Sequence, residues 1–451
     1  MKTRYKNRRV KTFQNSIKLL SLFALINLIG CSDDDGCAYD SNTSSCTFSK
    51  TNTKLSGWSV ATCYAGTASN PIGVIYDTSL NSSAVPGDDW GAILGPVFPI
   101  SPKAIHPPSW TAANIGQVFG IAIDDSENIF LATSGIYNQS SGYNYDNGVK
   151  SATIYKSSSP SWSATPFISL PTSTGNFNDI GNIAYDKRNN QLFATNLENG
   201  IIYRITGLNG SLGTVVDVYD PWSQDPLPSA PGIVSQDEQV WGIGVNYEGG
   251  NTKVYFPRVT SVGAREIYSI TLNNDGSFPV TASEVVEISA VPGTQNVISD
   301  FAFSSDTNEM LLSERGNPHA SKVISYSRTS AWNFNKQYFV GANAGADGEN
   351  SAGGVDFAYK ELNGDISADC DDFFWASGNY MDASNISGKV YGLEGISYSG
   401  NNSSTAVSPT ANKDTDLFID LNGSYSTGDK LGIGDVEVFD ANSCFIDICS
   451  Q

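Results

Sequence analysis

The chain has 451 residues, 40% of them hydrophobic and only 16% charged, with 43 glycines and 19 prolines, a balance that suits short strands and turns and speaks against helical bundles. Its 46 acidic and 26 basic residues give a formal net charge of −20, a field that repels nucleic acid and anionic membrane surfaces. No nucleic-acid partner is expected, and cations become the favoured small partners.

Residues 1–18 hold seven Lys or Arg and no acid, and a 12-residue apolar run follows from Leu19 to Gly30, too short to span a bilayer. It reads as a secretory signal. The join Leu28-Ile29-Gly30-Cys31 resembles the bacterial lipoprotein signal, in which a small residue precedes a cysteine that is diacylated and becomes the mature N-terminus. The plainer alternative is an ordinary secretory signal that contains a cysteine. Ser32 and the aspartates Asp33, Asp34 and Asp35 resemble the acidic surface-export tether of Bacteroidetes-type lipoproteins. These resemblances imply a signal over 1–30, a tether over 31–56 anchored through Cys31, and a place on the outer membrane facing the exterior, with membrane contact through the lipid alone. Beyond Cys31 six cysteines remain, Cys37, Cys46, Cys63, Cys370, Cys444 and Cys449. An even number in an exported chain suggests disulfides, with 15 possible pairings. None has the spacing of a structural zinc site.

From Val118 onward the sequence repeats. VFGIAIDDSENIFLATS from Val118, IGNIAYDKRNNQLFATN from Ile180, VWGIGVNYEGGNTKVYFPRV from Val240, VISDFAFSSDTNEMLLSER from Val297 and GGVDFAYKELNGDISADCDDFFWASG from Gly353 each give an apolar strand, a polar turn and a second strand. A third strand follows each pair, as in ATIYKS from Ala152 and KVISYS from Lys322, and a fourth often does, as in SEVVEIS from Ser283. Four strands every ~60 residues predict one sheet per repeat, and radial repetition of such sheets is a propeller. IGDVEVFD from Ile433 opens a sixth unit that lacks its other strands. WSVATCYAG from Trp58, IGVIYDT from Ile72 and GAILGPVFPI from Gly91 are candidates to complete it. The expected fold is therefore all-β, a six-bladed β-propeller over 57–451 closed by pairing its N- and C-terminal strands, which removes the free edge.

The order G-I-A-I-D, turn, N-I-F-L-A-T and an I-Y-x-x strand resembles blades of NHL-type propellers and of gluconolactonase- and paraoxonase-like propellers, over about Gln117 to Asp440. The repeat signature identifies a fold and no reaction.

Alignment of the six opening strands puts Gly120, Asn182, Gly242, Asp300, Asp356 and Asp435 at one position. Period-2 alternation turns this set to one face, and the first strand of a propeller blade is innermost. Asn182, Asp300, Asp356 and Asp435 would then face a central channel, an oxygen set suited to a hard ion such as Ca²⁺. The resemblance implies the same, since gluconolactonase-like propellers hold a central divalent ion. The competing expectation is structural: such side chains accept backbone N–H groups.

Catalytic signals are thin. His106 and His319 are the only histidines, and no G-x-S-x-G, P-loop or H-E-x-x-H motif occurs. Glu314, Arg315 and His319 cluster after the second strand of the fourth unit and are candidates for binding at the loop face. The leading expectation is a lipid-anchored binding module contacting a protein or glycan through that face. The alternative is a metal-dependent lactonase or esterase, in which the ion polarises a carbonyl and activates water.

Overall fold

The computed structural model describes residues 55–439, apart from loop segments of which the longest are 79–87, 90–103, 136–151, 172–178, 224–233, 342–348, 405–416 and 421–431. The signal, Cys31 and the tether up to residue 54 lie outside the described residues. No described helix is long and apolar enough to cross a membrane.

The described chain forms six sheets of four or five strands, the blades of a β-propeller, and a two-stranded hairpin, Glu361–Leu362 with Asp365–Ile366. Blade one is Val118–Ile123, Ile129–Thr133, Thr153–Ser158 and Ser163–Ser169, and blade two is Ile180–Asp186, Gln191–Asn196, Ile201–Thr206 and Thr214–Tyr219. Blade three is Gly244–Glu248, Asn251–Val259, Arg265–Thr271 and Glu284–Ile288. Blade four is Val297–Phe303, Glu309–Arg315, Val323–Arg328 and Trp332–Tyr338, and blade five is Ser351–Ala358, Phe373–Met381, Val390–Ser397 and Leu417–Asp420. Two short strands from elsewhere in the chain extend blades four and five: Ser403–Ser404 pairs with Trp332–Tyr338, and Asp88–Asp89 pairs with Leu417–Asp420.

Blade six closes the wheel as the sequence suggests. The C-terminal strand Ile433–Val438 is innermost and pairs with Ser59–Cys63, then Gly73–Tyr76, then Ala104–Ile105. The outermost strand differs from the expected run at Gly91, which falls outside the described residues.

Each blade buries both faces, so successive residues of one strand enter different cores. Ile129 and Leu131 pack with Val60, Ile75 and Trp110 of the blade-six side, whereas Phe130 and Ala132 pack with Ile180, Ile183 and Leu192 of blade two. Apolar side chains on both faces of a strand explain its unbroken hydrophobic run. Among the described residues six such clusters occur, one in each cleft between neighbouring blades. Trp332 and Trp375 belong to them as core packing. Cys63 is a correction to the disulfide expectation: it is a buried free thiol in the cleft between blades five and six, pushed by burial to about 12. The other five candidate cysteines lie outside the described residues.

Glycines set how closely the blades meet at the axis. A Cβ on Gly354 would stand 2.6 Å from Asp435 Cα, and one on Gly120 would stand 2.5 Å from Asn182 Oδ1. Gly354→Ala is expected to lower stability by about 3 kcal/mol through overpacking against backbone that cannot yield, measured by urea unfolding of the purified protein. A loss below about 0.5 kcal/mol would mean that the inner strands have room to part.

Candidate functional site

The axis is built by an alternation that the sequence alignment only half reveals. The six residues that meet there are Gly120, Asn182, Gly242, Asp300, Gly354 and Asp435, one from each blade, so glycine and polar side chain alternate around the ring. Asp356 is not among them. It lies two residues further along its strand, half-buried, and accepts from Phe357 N–H at 2.8 Å and Val438 N–H at 2.7 Å.

The three polar side chains bind in one pattern. Asn182, Asp300 and Asp435 each turn Oδ1 back to accept the N–H of the next residue, Ile183, Phe301 and Val436, at 2.7, 2.9 and 3.0 Å. Asp300 Oδ2 accepts Val355 N–H of blade five at 2.8 Å, and Asp435 Oδ2 accepts Ile121 N–H of blade one at 3.1 Å. Each donor directly follows a ring glycine. Asn182 carries an amide where the others carry a second oxygen, so it donates instead, to Ser299 O at 3.0 Å and to Asp300 Oδ1 at 2.9 Å across the axis. Hydroxyls repeat the threefold scheme. Thr62 donates to Phe119 O, Thr195 to Trp241 O and Ser299 to Gly353 O, at 3.0, 3.1 and 2.8 Å, each acceptor preceding a ring glycine. Even-numbered blades thus staple odd-numbered ones.

Local backbone geometry makes this possible. Five of the six inner strands have a register shift at the level of the ring, at Val118/Ile121, opposite Ala194/Asn196, at Ile298/Asp300, at Ser351/Val355 and opposite Ala61/Cys63. A bulge re-aims the side chains beside it. Carboxylates that period 2 would point into a channel are turned onto the neighbouring strands.

Electrostatics follow from burial. Desolvation pushes Asp300 well above the ordinary carboxylate range, and the charge of Asp435 pushes it further. Asp435 is raised too, chiefly by desolvation, against the N–H donors of Ile121 and Val436. Two carboxyls this close and dry hold a proton near neutrality. A Ca²⁺ ion does not fit here, because amide hydrogens already point at the oxygens it would need. Among the described residues no group of three or more His, Cys, Asp or Glu is placed to hold a metal.

Arg315 closes one end of the axis. From blade four its Nη1 donates to Ile433 O at 2.7 Å and to Ala352 O, and its guanidinium lies 5.3 Å from the ring centres of both Tyr64 and Phe119. It therefore touches blades five, six and one from the end where the inner strands begin. Glu314 points the other way into the protein and accepts Lys322 N–H at 3.1 Å. His319 lies outside the described residues.

One group on this face was missed from sequence. Asp179, just before the inner strand of blade two, is buried, as is Glu198 in the turn after the second strand. Asp179 Oδ1 accepts Gly135 N–H from blade one. Burial pushes Asp179 up to about 6, and the nearby charge of Glu198 adds to the rise. Ser134, which follows the strand Ile129–Thr133 and directly precedes Gly135, is buried, and its hydroxyl has no hydrogen-bond partner among the described residues. The available signal was an acid at a strand entrance, but Asp179 falls outside the repeat phrase.

The fold and this closed axis define a six-bladed β-propeller. No family model and no curated protein matches the chain. Among solved structures, a periplasmic gluconolactonase of Pseudomonas aeruginosa is similar at 10% identity and a TM-score of 0.43, covering 85% of this chain and 99% of that one. A protein of Bacteroides uniformis described as a possible 6-phosphogluconolactonase is similar at 11% identity and 0.42, covering 81% and 98%. A gluconolactonase of Xanthomonas campestris is similar at 11% and 0.33, covering 58% and 70%.

The raised axial carboxyls carry a pH prediction. The native state binds protons that the unfolded chain has released, so stability falls as pH rises from the ordinary carboxylate range near 4 through about 7. The Tm is expected to drop by about 5 °C from pH 5.5 to pH 8, with a shallower slope in Asp300→Asn. Neither EDTA nor added Ca²⁺ should move it. A Ca²⁺-dependent rise in Tm that Asp300→Asn abolishes would restore the metal.

Proposed function

We propose that the protein is a lipid-anchored surface propeller that binds a protein or glycan ligand on the face where its inner strands begin. The observation that carries this reading is the contrast along the axis. The interior is filled by staples, while Arg315, Tyr64 and the Asp179, Glu198 and Ser134 group lie at that one end, so a ligand has a face to dock on and no channel to enter. Anchorage through Cys31 and an outward-facing position on the outer membrane rest on the sequence of the first 35 residues.

A second reading, hydrolysis of a lactone or ester, is favoured by Asp179. A carboxyl raised to about 6 beside a second acid can take a proton from water near neutral pH and return it to a leaving alkoxide. The ring does not fit the metal that such a reaction would otherwise use, so this reading rests on the carboxyl pair.

The whole chain, assayed against a panel of sugar lactones and aryl esters with and without EDTA, separates the two. Binding alone predicts no turnover above the buffer blank. Turnover that survives EDTA and falls at least a hundredfold in Asp179→Asn would establish the hydrolase. On the binding reading, a glycan or protein ligand found by direct binding should lose at least tenfold in affinity in the Asp179→Asn, Glu198→Gln double variant. Unchanged affinity would remove this face from consideration.

A further inference from the structure

Large hydrophobic side chains are exposed at six described positions, and five lie on the rims of blades two and three: Leu212, Val216, Val280, Val285 and Val286. The sixth, Phe334, is on the outer strand of blade four, which Ser403–Ser404 already covers in part. Two hydrogen bonds tie these rims together, from Phe278 N–H to Asp217 at 3.0 Å and from the Tyr219 hydroxyl to Glu284.

The outer strand of blade three, Glu284–Ile288, has the sequence EVVEI and, among the described residues, no strand on its outer side. Edge strands are usually guarded by lysine, proline or an outward charge. Here the acids turn inward: Glu284 pairs with Arg258 at 2.6 Å, and Glu287 takes Lys253 at 2.9 Å and the Ser269 hydroxyl at 2.6 Å. Val285 and Val286, 46% and 48% exposed, are left on the rim. The same molecule shows what such an edge accepts, since blades four and five each take a fifth strand from a distant part of the chain.

We propose that the outer edge of blade three is a docking site for an extended segment of another protein, which adds as a fifth strand and carries alternating apolar and basic side chains. Backbone groups of Glu284–Ile288 supply the ladder; Val285 and Val286 point to opposite faces of the sheet, so the apolar side chains of the added strand meet one of them, and its basic side chains, attracted by the acidic chain, lie on the other face. A second copy is disfavoured as occupant because each carries a net charge of −20.

The probe is a fluorescent nine-residue peptide alternating Val with Lys or Thr, titrated into the whole chain by fluorescence polarisation, beside a control peptide with each Val replaced by Ser. Saturable binding of the valine peptide at least tenfold tighter than the control, and lost at least tenfold in the Val285→Lys, Val286→Lys double variant at unchanged Tm, supports the site. Equal binding of both peptides means attraction to net charge alone and overturns it, as does unchanged binding by the variant. Concentration-dependent dimers that the variant abolishes would make the occupant a second copy and overturn the assignment. Asp179→Asn should leave peptide binding unchanged, which keeps this test separate from that of the loop face.

Discussion

Six strands must converge on one line, and there the fold meets a conflict between sterics and polarity. Backbones close enough to shut the axis leave no room for six side chains, yet an N–H group facing its neighbour in a dry interior needs an acceptor. The alternation of glycine with Asn182, Asp300 and Asp435 resolves both demands. Glycine leaves room for the following blade, since a Cβ on Gly120 would meet Asn182 and one on Gly354 would meet Asp435. The polar side chain of the preceding blade accepts the N–H that follows the glycine in two of the three pairs, Asp435 from Ile121 and Asp300 from Val355. In the third, Asn182 donates instead, and Gly242 N–H finds Ile298 O at 3.0 Å.

The ring also joins the chain ends. Asp435 comes from the last described strand and accepts from Ile121 of blade one, while its own N–H donates to the Thr62 hydroxyl of the strand beside it at 2.9 Å. Closing a loop of more than 300 residues has a large entropic cost, and the contacts that offset it lie in blade six and its two flanking clefts. Asp300 and Asp435, close and buried, retain a proton that links this closure to pH. Acids that a sequence suggests as metal ligands here act as hydrogen-bond acceptors between blades.

Much of the wheel was legible in the sequence because its signal is repeated. Five copies of one phrase placed the inner strands, and the orphan strand at Ile433 required partners from the N-terminus. What stayed hidden depends on register and tertiary context. The fourth strand of blade four, Trp332–Tyr338, is largely polar because its outer side meets solvent. Asp356 took the place of Gly354 in the alignment because the bulge between Ser351 and Val355 adds residues that period 2 does not count. For the same reason the acids were expected in an open channel. Asp179 was invisible because its burial comes from the meeting of two blades.

Amide hydrogen exchange at Ile121 and Val355 tests the closed axis most directly. If Asp435 and Asp300 hold these N–H groups inside a shut ring, both exchange only on global unfolding, among the slowest amides of the protein. Rapid exchange at either amide under native conditions would mean that water reaches the axis, and the carboxylates would line a channel after all.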